Sequence, residues 1–142
     1  MFLARLRVLL LPILLPVALW GAIPGPPDSW VPARWPGGPL ELARRHNQSL
    51  PPAVQEALTR WYDPSTLHLL ADTPVNCLLV TWSIGAPADL ERAQRARLLA
   101  FTEAAHARGI AVLGLVYPGA DPAQFVPPAA EAALDGLVLE GE

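Results

Sequence analysis

The chain has 142 residues, ten basic against thirteen acidic side chains, and a formal net charge of −3. That length holds about one domain, and the acidic balance excludes a nucleic-acid surface, which needs clustered positive charge. Cys77 is the single cysteine, so no intrachain disulfide forms, and a lone cysteine inside an apolar run reads as a small buried core residue.

Residues 1–22 read as an export signal. Arg5 and Arg7 precede an apolar run over 8–20, shorter than the roughly 20 residues that span a bilayer. Leu19 and Trp20 beside Gly21 make a poor cleavage site, so an uncleaved membrane anchor stays open as the alternative. Either way the expected location is exported: periplasmic, extracellular or anchored at the inner membrane. Without these residues, eight arginines face thirteen acids, a net −5. Residues 23–39 hold six prolines together with Gly25, Gly37 and Gly38, and are expected to be a linker without regular structure. Trp30 and Trp35 within it are expected to dock on the domain that follows.

Residues 40–73 predict short helices. The first covers 40–46. The second covers 52–61, with Ser49 and two prolines marking its start and Val54, Ala57, Leu58 and Trp61 sharing one face. A third covers 65–71. Asn47-Gln48-Ser49 matches the glycosylation acceptor pattern, which carries little weight in a chain that looks bacterial. Thr73-Pro74 then releases an extended segment.

Residues 74–142 predict strand, helix, strand, helix, strand. The runs 75–82, 110–117 and 136–142 are apolar on both faces, as strands of a parallel sheet between helices are. The first crossover helix starts at Pro87 or Asp89 and stops at Gly109. Leu90, Ala93, Leu98, Ala100, Phe101, Ala104 and Ala105 fall on its apolar arc, with Glu91, Arg92, Arg95, Thr102, Glu103 and His106 opposite and Gln94 and Arg97 at the edge. The second crossover opens on Asp121-Pro122. Pro127-Pro128 is expected to interrupt it, with a new short helix over 129–134. Right-handed crossovers are the expectation. The fold class is therefore α/β: a parallel βαβαβ start of an incomplete TIM-type barrel, with an unpaired edge and an oligomeric state left open.

In such folds reactive groups gather at the carboxyl ends of the strands. Glu140 and Glu142 share one side of the last strand, with Cβ atoms about 6–7 Å apart. Glycosidases use a carboxyl pair about 5–9 Å apart, so these two are the candidate catalytic acids, at most one of them catalytic because such pairs are split between strands. Solvent-exposed acids at a strand end are the alternative. Trp82 and Tyr117 are candidate stacking platforms for a sugar ring, with simple capping of the core as the other reading. Ser83 lacks the Gly-x-Ser-x-Gly setting of a hydrolase nucleophile. Neither loop after a strand has a phosphate-binding pattern, and His46, His68 and His106 are scattered without metal-ligand spacing. No cofactor and no metal are expected.

From residue 74 onward the chain resembles the N-terminal part of bacterial exported (β/α)8-barrel proteins of the glycoside-hydrolase type. The likeness is carried by Asn76-Cys77-Leu78-Leu79-Val80-Thr81-Trp82, by Ala107-Arg108-Gly109-Ile110-Ala111-Val112-Leu113-Gly114, and by Leu134-Asp135-Gly136-Leu137-Val138-Leu139-Glu140. It implies carbohydrate as the partner and an acid at a strand end. Such barrels carry at least one catalytic acid on later strands, so the resemblance implies that these residues alone are inactive. A non-catalytic exported or membrane-anchored binding module of small α/β type, its sheet completed by a partner chain or by oligomerisation, is the alternative. A prematurely ended product without function, and a flavodoxin-like nucleotide-binding start, are the remaining readings.

Overall fold

The structure, a computed structural model, describes residues 24–45 and 49–141. The signal or anchor expected over 1–22, His46, Asn47, Gln48 and Glu142 lie outside the described residues. Among the described residues, no helix is long and apolar enough to cross a membrane.

Four strands form one sheet: β1 (Pro32–Trp35), β2 (Cys77–Ser83), β3 (Ala111–Val116) and β4 (Gly136–Leu139). Every neighbouring pair is parallel, and the order across the sheet is the order along the chain, β1-β2-β3-β4. The register aligns Arg34 with Leu79, Leu79 with Leu113, and Leu113 with Gly136. The α/β class and the parallel sheet thus stand as the sequence indicates, with one strand more.

That additional strand, β1, falls in the stretch expected to be an irregular linker. Its prolines do not forbid it. Pro32 is the first residue of an edge strand, where a missing N–H costs little. Asn76 stitches the entry: its Oδ1 accepts from Val31 N at 2.6 Å and its Nδ2 donates to Ser29 O at 3.1 Å. Trp35 anchors the other end, only 6% exposed, with its ring 5.0 Å from that of Trp61 and 6.5 Å from that of Phe101. Tyr62 splices β1 to β2 where they diverge: its hydroxyl donates to Trp35 O and accepts from Thr81 N, both at 3.0 Å. Burial pushes the Tyr62 hydroxyl well above its usual range, so it remains a donor.

Helices α1 (Gly38–Arg44) and α2 (Pro52–Arg60), with a 3-10 segment over Pro64–Leu70, connect β1 to β2. Helix α3 (Ala88–His106) connects β2 to β3, and α4 (Pro122–Glu131) connects β3 to β4. The core lies on one face of the sheet. Leu78, Val80, Trp82, Val112 and Val116 meet Tyr62, Leu67, Leu98, Phe101, Phe125 and Ala129 there. The other face carries Cys77, Leu79, Thr81, Ala111, Leu113, Leu115 and Val138 by alternation. Of these, Leu79, Leu113 and Val138 keep partial exposure.

Two helices differ from expectation. The buried side of α3 is Glu91, Gln94, Leu98, Phe101, Thr102 and Ala105, so three polar residues assigned to the outer side or its edge point inward, while Ala93 and Ala100 are exposed. Polar partners cause this for two of the three: Gln94 Nε2 donates to Thr81 O at 2.7 Å and to Gly37 O at 3.1 Å, and its Oε1 accepts from Leu40 N. Glu91 accepts from Ile84 N and Ala86 N and so closes the loop before its own helix. In α4, Pro127 and Pro128 lie inside one continuous helix. Asp121 caps it through Ala123 N at 2.9 Å, and Phe125 and Ala129 hold it to the sheet.

Candidate functional site

The carboxyl ends of the four strands bring together groups distant in sequence. After Trp35 the chain turns at Gly37-Gly38 into α1. Gly38 has φ of +75°, and a Cβ there would sit 2.3 Å from Gln94 Oε1. Only glycine suits that turn, and the turn delivers Glu41, Arg44 and Arg45 to the mouth of the sheet. Glu41 is fully buried. Its carboxylate accepts from Arg44 Nη2 at 2.8 Å and Arg44 Nε at 3.2 Å, from Arg45 Nε, and from Thr81 Oγ1 at 3.2 Å. Burial pushes the Glu41 carboxyl up, but the hydrogen bonds and charges of Arg44 and Arg45 outweigh it and hold the group below its ordinary value. Glu41 is therefore a fixed anion whose lone pairs are engaged. It serves as a brace and is poorly placed to be a proton donor.

Arg34, from β1, reaches across the sheet to Glu140, just beyond β4, and the two form an ion pair. Arg34 stands in the row of Leu79, Leu113 and Gly136, and Glu140 stands past Val138. Their side chains are 57% and 29% exposed, so the bridge is open to solvent. Tyr117 follows β3, half-buried, with the Arg44 guanidinium 4.9 Å from its ring centroid. Among the described residues, three arginines and two glutamates thus line this mouth.

Of the four residues singled out from sequence, the structure brings two together. Tyr117 and Glu140 line one shallow groove, with Pro118, Gly119, Phe125 and Leu139. Glu142 lies outside the described residues. Trp82 is displaced from the role of sugar platform: it is fully buried on the helix-covered face, with Nε1 donating to Phe125 O at 3.1 Å. The cause is local. Trp82 follows Leu78 and Val80 on the core side of β2 by simple alternation, and the β2–β3 register shifts only after Thr81. Gly114 opposite leaves room for it, since a Cβ there would lie 2.8 Å from Trp82 Cβ.

Sequence reasoning missed Arg34, Glu41, Arg44, Arg45 and Thr81. The spacing of Glu41 to Arg44 and Arg45 was a readable signal of helix ion pairing. Nothing local links Arg34 to Glu140, 106 residues apart. At the opposite end of the sheet, Asp135 Oδ2 accepts from Val112 N at 2.7 Å and meets His106 Nε2 at 2.8 Å. This ties α3 to the start of β4, at the end of parallel folds that serves stability. Among the described residues no group of three or more His, Cys, Asp or Glu could hold a metal ion.

No family model matches this chain, and no curated protein and no solved structure matches it. The functional reading therefore rests on the geometry.

Proposed function

We propose that this chain forms the opening part of an exported (β/α)8-type barrel and that its strand-end mouth takes carbohydrate. The observation that carries the reading is the juxtaposition of Tyr117 and Glu140 in one groove at the carboxyl ends of adjacent parallel strands, where such barrels bind their ligands. The consecutive strand order, with α3 and α4 packed on the same face, supports the barrel ancestry: a doubly wound sheet reverses its order and covers both faces. The Tyr117 ring, stiffened by Arg44, supplies a flat apolar surface with a polar tip. Glu140 and Arg34 supply an acceptor and a donor for ring hydroxyls. Arg5, Arg7 and the apolar run over 8–20 support export.

In a glycosidase of this kind Glu140 would be one member of the carboxyl pair, the second coming from another strand. Glu41 does not fill that place, because its oxygens are engaged by Arg44, Arg45 and Thr81. That engagement favours a second reading, a binding module that holds saccharide without cleaving it.

Calorimetric titration of the full chain with a panel of neutral and acidic oligosaccharides tests the proposal. At least one binds, Tyr117→Ala weakens it several-fold, as the loss of an aromatic contact of about 0.5–1.5 kcal/mol implies, and Trp82→Phe leaves affinity unchanged. Absence of binding across the panel overturns the reading. Slow hydrolysis that disappears in Glu140→Gln selects the enzyme, and binding without hydrolysis selects the module.

A further inference from the structure

We propose that a second copy of this chain completes the sheet, two four-stranded halves closing an eight-stranded parallel barrel with α3 and α4 outside. The inference rests on the barrel reading above and adds who supplies the other half.

The strand order makes this closure available. Because β1-β2-β3-β4 run in the same direction in chain order, β1 and β4 are the edges and have the same polarity. A twofold axis parallel to the strands sets β4 of one copy beside β1 of the other, still parallel, and sets the second copy's β4 beside the first copy's β1. Both unpaired edges then enter a ladder, and the interface is isologous and closed. Helices α3 and α4 stay outside, because Leu98, Phe101, Phe125 and Ala129 pack on one face of the sheet, while α1 sits at the mouth, where Glu41 meets Thr81.

The number of strands and the side chains fit the same assembly. Eight strands are the number at which side chains fill a parallel barrel, chiefly branched ones. The face turned from the helices offers Leu79, Leu113, Leu115 and Val138, with the small residues Cys77 and Ala111 at its amino end. In a single chain Leu79, Leu113 and Val138 keep partial exposure, and in the closed pair they become interior. Leu139, at 72% the most exposed large hydrophobic residue among the described residues, lies on the β4 edge.

Charge complementarity favours a second copy over an unrelated partner. The β1 edge presents Arg34 and the β4 edge presents Glu140. Within one chain the two must reach across the whole sheet to meet. In the closed pair Glu140 lies on the strand next to the partner's Arg34, and the twofold axis forms that contact twice. The mouth then carries two copies of the Tyr117 and Glu140 groove, so a second carboxylate enters the site from the partner strand set.

Sedimentation equilibrium of the full chain gives the first test: a mass of twice 15.2 kDa is expected, and a one-copy mass overturns the proposal. A charge exchange gives the second. Arg34→Glu and Glu140→Arg each destroy the pair within a chain and between chains. An equal mixture restores only the pair between chains, since each copy then meets the opposite charge on its neighbour. Each variant alone is expected to dissociate at least about tenfold more readily, as like charges face each other, and the mixture to regain the two-copy mass. Mixing without recovery overturns the proposal. Should either variant fail to fold, the wild-type mass decides. Saccharide binding by a one-copy protein sinks this inference alone, whereas a two-copy protein that binds no saccharide sinks the functional reading alone.

Discussion

Gln94 donates to Thr81 O and Gly37 O and accepts from Leu40 N, all in a fully buried setting. Gln94→Leu keeps the volume and strands those backbone groups, and an unsatisfied buried group costs about 1–3 kcal/mol. The denaturant midpoint should fall accordingly, by more than Leu99→Ala on the exposed side of the same helix. Glu41 predicts a pH dependence. Its carboxyl binds a proton less readily folded than unfolded, so its contribution is fully present above the ordinary value of 4.5 and is lost as the pH falls through the lowered one. Urea unfolding at a series of pH values should show stability declining below 4.5, with a shallower decline in Glu41→Gln. Equal declines would contradict the brace. At this scale the sequence placed Tyr117 and Glu140 at the ends of two strands, because an apolar run followed by a turn marks a strand end, and the structure has each just past such an end. The sequence hid the burial of Trp82, because β2 is apolar on both faces and that pattern does not say which face the helices cover.

Elements show the same division. The strands β2, β3 and β4 were readable because each is apolar on both faces, a pattern tied to helix-covered parallel sheets. β1 was not, because Pro32-Ala33-Arg34-Trp35 has no such pattern and gains its place from Trp35 stacking and from Asn76 at its entry. Tertiary packing also overrides Pro127 and Pro128, which interior helix positions disfavour. Pro127 is exposed, and Pro127→Ala restores an N–H to the helix without disturbing a contact. Thermal unfolding should move upward, by a gain of up to about 3 kcal/mol, and an unchanged or lowered midpoint would contradict a continuous α4. Gly38→Ala predicts the opposite sign: a side chain at φ of +75° costs on the order of 1–3 kcal/mol and pushes on Gln94, loosening α1 and with it the arginines of the mouth.

For the whole molecule, the local patterns gave the class and direction of the sheet, while the assembly of its mouth depends on contacts 40 to 106 residues apart. All of it follows from four parallel strands in chain order. Backbone NMR of the isotope-labelled chain tests this directly, through cross-strand contacts between protons of β1 and β2, β2 and β3, and β3 and β4. The account predicts parallel contact patterns in the register Leu79 to Leu113 to Gly136, with Val112 N–H slow to exchange behind Asp135. Short Hα–Hα contacts between neighbouring strands, the mark of antiparallel pairing, or β4 lying beside β2, would contradict it.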